Sequence, residues 1–237
     1  MDKRPCRPKA WPNSPDGKVL YKTTAGGEWL QDDADITNGA FNGFTNKESA
    51  VEVVIPSKDA NGNSVTSIGA GAFADCRGLT SVTIPDSVTS IGSFAFLRCS
   101  GLMSILVGSG NASYKSVNGL LLSKDGKTLI QGVNGNVTIP NSVTSIVDGA
   151  FRGCSGLTSV TIGNNVEEIG SDAFYDCTSV NDVYCWPNPA NLTWNEDAHD
   201  DFKEDGSTRC HTKAEYLAAY QTKFGGGVNV TFVGDLA

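Results

Sequence analysis

This sequence predicts a solenoid of stacked repeats, mainly β with short helical or 3₁₀ turns, and three observations carry that reading. Isoleucine recurs at Ile68, Ile91, Ile146 and Ile169, each followed by a phenylalanine (Phe73, Phe96, Phe151, Phe174) and then a cysteine (Cys76, Cys99, Cys154, Cys177) at constant spacing. Neighbouring copies are 23 residues apart on either side of a 55-residue step, which is one period plus an insertion of 32. A unit this short cannot bury its own apolar face and must stack on its neighbours. Third, each unit contains an alternating run such as Leu79-Thr80-Ser81-Val82-Thr83-Ile84, the pattern of a strand with one buried face.

The elements follow in order. Residues 1–50 are expected to form an N-terminal arm and cap. Pro5, Pro8 and Pro12 mark the arm, and the turn-rich, aromatic-bearing remainder supplies strands over the first rung. Repeats occupy 51–185, with apolar strand pairs at Val53 and Ile55, Val82 and Ile84, Ile105 and Val107, Val137 and Ile139, Val160 and Ile162, and Val183 and Cys185. That count gives six rungs. Pro56, Pro85 and Pro140 close strands where a missing N–H is tolerable. Glycine after isoleucine, at Gly69, Gly92 and Gly170, suits a corner needing backbone freedom, a rule that Val147 breaks. The inserted segment, about 108–133, carries two apolar runs around Asp125 and Gly126 and reads as a hairpin projecting from the stack. In the C-terminal cap, 186–237, Thr212 and Glu215 read as a capping box. The helix they open has Tyr216, Leu217, Tyr220 and Phe224 on one face, Gly225 to Gly227 to stop it, and a final strand beyond.

The run from Ile68 to Pro85, echoed from Ile91, Ile146 and Ile169, resembles the BspA-like (Treponema pallidum-type) subclass of leucine-rich repeat proteins over about Val51 to Cys185. The resemblance implies a leucine-rich repeat solenoid. It also implies a bacterial or protozoan surface protein that binds other proteins or matrix components, with no catalytic residue and no cofactor to carry over.

Bulk properties narrow the partners. The chain of 237 residues has 26 acidic and 18 basic side chains, a net charge of -8 that opposes phosphate backbones and anionic lipid surfaces. Nucleic acid is therefore not an expected partner, and no run is long and apolar enough for a membrane span. An extracellular or cell-surface location is expected, on the reading that an export signal is missing from this form of the chain. The competing location is intracellular, for an interaction scaffold of the same fold.

The recurring cysteines suit a buried column better than a metal centre, because each stands alone on its own rung. Cys185 and Cys210 are candidates for a disulfide if the protein is extracellular, a pairing that spacing leaves open. Cys6 is then an odd thiol in the arm. Cys210 beside His211, with His199 the only other histidine, is the least supported possibility, an enzyme with a C-terminal site. The acidic run Asn195 to Asp205 lacks the spacing and glycine of a calcium loop and reads as solvated.

The repeated strands should present an outward surface about 24 Å across, six strands at ~4.8 Å steps. Its background is serine and threonine. Against that background Glu52, Met103, Leu106, Asn181, Asp182, Tyr184 and Trp186 are the candidate binding residues. Met103 and Leu106 have cover from the inserted hairpin as the competing explanation, and Tyr184 and Trp186 have packing under the C-terminal cap.

Overall fold

The computed structural model describes residues 14–23, 28–195, 207–224 and 230–236. The N-terminal arm, Cys6, His199, the acidic run beyond Asn195 and Gly225 to Gly227 lie outside them.

An antiparallel cap opens the chain: β1 (Lys18–Thr23), β2 (Leu30–Thr37) and β3 (Ala40–Phe44). Coils then follow, each with a face strand and a short side strand. The first pair is β4 (Ala50–Val54) with β5 (Ser67–Ile68), and the second β6 (Ser81–Ile84) with β7 (Ser90–Ile91). The third coil begins with β8 (Ser104–Val107), detours through β9 (Tyr114–Val117) and β10 (Leu120–Ser123), and takes β11 (Thr128–Gln131) as its side strand. Regular pairs resume with β12 (Gly135–Thr138) and β13 (Ser145–Ile146), β14 (Leu157–Ile162) and β15 (Glu168–Ile169), and β16 (Asp182–Cys185) and β17 (Thr193–Trp194). The chain closes with β18 (Arg209–Lys213), a 3₁₀ turn over Ala214–Tyr216, α1 (Leu217–Phe224) and β19 (Thr231–Leu236).

Six rungs is an undercount. β18 and β19 continue the parallel ladder of β12, β14 and β16, so the face strands among the described residues number eight. Cys210 and Phe232 supply the inward side chains of those two rungs, without the isoleucine-phenylalanine-cysteine signature that precedes β6, β8, β14 and β16. At the N-terminal end β1 pairs antiparallel with β4, and β3 runs parallel to β5 with Phe41 level with Ile68.

The core is a spine of rings. Phe41, Phe73 and Phe96 pack in one column at 5.5 and 5.3 Å between centroids, and Phe151, Phe174 and Trp194 form a second at 4.9 and 6.3 Å. All four repeat cysteines are buried. Two show why the position is a thiol: Cys99 Sγ donates to Phe73 O at 3.1 Å and Cys177 Sγ to Phe151 O at 3.2 Å, each satisfying a carbonyl one coil below. Burial pushes the Cys76 thiol up to about 11 and the Cys154 thiol up to about 12, so these groups stay protonated and inert.

The corner glycines serve a different purpose from the one expected. Gly69, Gly92 and Gly170 do not occupy the left-handed region. They are small because another coil lies against them: a Cβ on Gly92 would stand 2.5 Å from Ala70 N, and one on Gly170 would stand 2.4 Å from Asp148 N. Val147 is permitted for the same physical reason, because the coil beneath it is shortened. From Ile68 to Val82, and at each equivalent pair, 14 residues separate side strand from next face strand; from Leu129 to Val137 there are eight.

That shortened coil also explains the insertion, which does not project from the stack. Leu120, Leu121 and Leu122 are buried, and β10 and β9 extend the ladder of β17, β15, β13 and β11. The Asp125-Gly126 turn joins β10 to β11 as expected. A second turn at Asn118 and Gly119, φ 53° and 82°, joins β9 to β10. Side chains close the seam to the earlier coils. Buried Asn111 donates to Pro85 O and Val88 O while accepting from the amides of Ser113 and Tyr114. The capping box is also corrected: Thr212 lies in β18, and Lys213 precedes the 3₁₀ turn with no side-chain cap.

Thr83 and Thr212 each carry a buried hydroxyl with no hydrogen-bond partner among the described residues. Thr83 lies level with Val54 on β4 and Leu106 on β8. Thr83→Val should therefore stabilise the chain by about 1 kcal/mol, read as a higher urea midpoint. An unchanged or lower midpoint would show that the hydroxyl is solvated.

Candidate functional site

The outward surface is not one continuous sheet. The face strands form one ladder of β4, β6 and β8 and a second of β12, β14, β16, β18 and β19, because the inserted segment takes the free edge of β8. Ile105 donates its amide to Gly119 O and Val107 donates to Ser116 Oγ, both in the insertion.

This division distributes the candidate residues. Glu52, Met103 and Leu106 belong to the first ladder. Glu52 is ion-paired with Lys22 of β1 at 3.0 Å, and Lys22 also lies over the Trp29 ring, so this carboxylate is tied to the N-terminal cap. Leu106 is half-buried beside the insertion, whereas Met103 remains 53% exposed.

Asp182 and Tyr184 come together on the second ladder, and strand register gives them partners that spacing alone did not reveal. One outward row runs Asn136, Ser159, Asp182, Arg209, Thr231; the next runs Thr138, Thr161, Tyr184, His211, Val233. Asp182 Oδ1 accepts from Arg209 Nε at 3.0 Å and from His211 Nε2 at 2.9 Å. On its other side His211 Nδ1 reaches Asp235 at 2.8 Å, and the imidazole stacks on the Tyr184 ring at 4.8 Å. Asn181 and Trp186 flank this cluster at the two ends of β16. Asn181 O accepts from the Arg209 amide, and the Trp186 amide donates to Ile162 O.

Two carboxylates can only accept, so an imidazole held between them donates from both nitrogens and is a cation. Burial alone would lower the His211 pKa; the hydrogen bonds and charges of Asp182 and Asp235 outweigh it and leave the pKa raised. The His211 bond first, and Arg209 after it, holds the Asp182 carboxyl below its ordinary value against a smaller opposing effect of burial. A raised histidine contributes stability that is complete below its unfolded value near 6.5 and is lost as pH rises through the folded value. A depressed aspartate contributes stability above its unfolded value near 3.9 and loses it as pH falls through the folded one. The wild-type chain is therefore expected to melt progressively lower than its pH 6 value as the pH is raised above 6.5. His211→Gln should flatten that slope; an identical slope in both would remove His211 as its source.

Cys210 and His211 point to opposite faces of β18. Cys210 is buried within the stack and its Sγ lies 3.1 Å from Cys185 Sγ, both as thiols, while His211 faces outward. The two therefore do not form a nucleophile and base. Among the described residues no group of three histidine, cysteine, aspartate or glutamate side chains converges to hold a metal ion. No described helix is long and apolar enough to cross a membrane.

Comparison with known proteins matches the family described as BspA type leucine rich repeat region, in six copies over residues 34–117 and 134–197. No curated protein sequence matches. Among solved structures, similarity extends to the pneumococcal vaccine antigen PcpA, at 16% identity over 79% of this chain and 68% of that one, TM-score 0.44. The Treponema pallidum leucine-rich repeat protein matches at 20% identity over 86% and 79% of the two chains, TM-score 0.39. A leucine-rich cell surface protein of Faecalibacterium prausnitzii matches at 21% over 79% and 61%, TM-score 0.44.

Proposed function

The chain belongs to the BspA-type leucine-rich repeat family, whose members are typically protein-interaction proteins, and from that premise we propose a non-catalytic adhesion role at the cell surface. The second ladder is the binding face, and its partner is a protein or a component of the extracellular matrix. One observation carries this reading: Asp182, Tyr184, Arg209, His211 and Asp235 form a joined charged and aromatic patch, whereas Ser159, Thr161, Thr138 and Asn136 beside it are small and polar. Arginine and tyrosine held rigid by neighbours are the side chains that concentrate binding energy at protein interfaces.

The test is adsorption of the purified chain to immobilised fibronectin, laminin and collagen and to intact epithelial cells. Saturable binding that falls about tenfold or more in Tyr184→Ala and Arg209→Glu supports the assignment. Binding that is saturable but unchanged in both variants removes it from this face, and no binding to any of these surfaces removes the adhesion role.

Compartment is tested separately by the pair at the base of the patch. Export to an oxidising environment would join Cys185 to Cys210, a bond needing their sulfurs to close to about 2.05 Å. Titration of denatured protein, taken from its native source without reductant, should find two fewer thiols than after reduction. Equal counts favour the intracellular scaffold.

A further inference from the structure

Regular coils bond to one another through a row of amides in the turn after the side strand. In the first half Gly71, Phe73 and Asp75 donate to Ser93 O, Ala95 O and Leu97 O at 3.2, 2.8 and 2.9 Å. In the second half Gly149, Phe151 and Gly153 donate to Ser171 O, Ala173 O and Tyr175 O at 2.9, 2.7 and 2.8 Å. Phe94 and Phe96 hold the first two of these positions in the second coil, and among the described residues no backbone carbonyl accepts from their amides; at the third, Arg98, the fourth coil closes in, a Cβ on Gly153 standing 2.9 Å from Arg98 N. Acceptors for Phe94 and Phe96 would belong to the turn of the third coil, the segment that its short passage from Leu129 to Val137 omits.

A groove of about 450 Å³ opens where that turn is missing, lined by Phe94, Ile130, Gln131, Val147, Arg152 and Asp172. Phe94 is its most unusual member. The equivalent residues Gly71, Gly149 and Asp172 sit at φ 65°, 63° and 54°, a left-handed conformation that glycine and aspartate tolerate. Phe94 adopts φ 57° with a bulky side chain, yet the residue is 54% exposed. The Arg152 guanidinium lies 5.4 Å from its centroid and 4.6 Å from that of Tyr175. Local strain that brings an aromatic ring to an open groove, rather than into a core, is the kind associated with binding sites.

We propose that this groove is a second binding site, separate from the outward ladder, for a segment of a partner polypeptide. Amides at every second residue call for carbonyls at a matching interval, which a peptide backbone supplies and a lone small anion does not. The partner segment takes the place of the missing turn. It accepts from Phe94 and Phe96 and seats an aliphatic or aromatic side chain against Phe94, Ile130 and Val147.

The test starts with hydrogen exchange in the full chain alone, where the amides of Phe94 and Phe96 should exchange faster than those of Gly71 and Phe73. A displayed library of random dodecapeptides is then panned on the protein, and recovered peptides are titrated into labelled protein by NMR. They should shift those two amide resonances downfield and slow their exchange. Phe94→Asn, which suits the left-handed backbone, should melt no lower than wild type but bind the peptides at least tenfold more weakly. Slow exchange in the free chain, failure to recover any peptide that shifts these amides, peptides that instead map to Tyr184 and His211, or full binding by Phe94→Asn would each overturn the proposal. So would self-association of the chain that shifts the same amides, which would make a second copy the occupant.

Discussion

Phe73→Ala is expected to destabilise the chain by about 3 to 5 kcal/mol, the range for deleting a buried aromatic side chain. Phe73 is wholly buried and is ringed above and below, 5.5 Å from Phe41 and 5.3 Å from Phe96, so its removal leaves a void between two coils. Urea melts followed by circular dichroism would read the loss. A stack whose units contact only their neighbours has no distant packing to redistribute it. A cost below about 1 kcal/mol would place the ring at a surface, since substitutions there are usually silent.

The second large effect is expected at Asn134, a residue with no hydrophobic role. It is buried where the third coil is shortened, and its side chain bridges the coils on either side. Nδ2 donates to Cys99 O at 3.1 Å and to Leu102 O at 3.0 Å in the coil below, and Oδ1 accepts from the Gly156 amide at 2.9 Å above. Asn134→Ala loses all three bonds and should cost about 3 kcal/mol, at roughly 1 kcal/mol for each bond. Asn134→Asp should cost at least as much, since a carboxylate cannot donate to Cys99 O or Leu102 O. Recovery of wild-type stability by Asn134→Leu would show that packing, not hydrogen bonding, holds the halves together.

What could be read from the linear chain, and what could not, divides along one physical line. Isoleucine, phenylalanine and cysteine at fixed phase announced the stack because each equivalent position faces the same neighbour one period away. Trp194 and Phe41 extend the spine without being legible, since end coils pack against caps and escape the repeat constraint. β18 is hidden for the same reason, and β19, although legible as a final strand, carries no mark of being a further rung. Glycine at Gly92 was correctly singled out but for conformational freedom, when the cause is a coil pressed against it, a contact that no local pattern encodes. Asp182 and Tyr184 stood out against serine and threonine, yet Arg209, His211 and Asp235 were not joined to them. Those partners lie 27 and more residues downstream, and only strand register brings Arg209 level with Asp182 and His211 level with Tyr184. Phe94 gives no signal at all, because the equivalent position holds glycine in two other coils and aspartate in a third, and only the backbone angle shows what those residues share.

Double-mutant cycles on pairs of spine rings test the stacking most directly. Phe73 with Phe96, and Phe151 with Phe174, are in ring contact at 5.3 and 4.9 Å and should couple by about 1 kcal/mol in each cycle. Phe96 with Phe151 spans the shortened coil, where the backbone of Gly132 lies against the Phe151 ring, and should couple by less than about 0.3 kcal/mol. Negligible coupling in the first two pairs, or equal coupling in all three, would contradict two ring columns interrupted at the third coil.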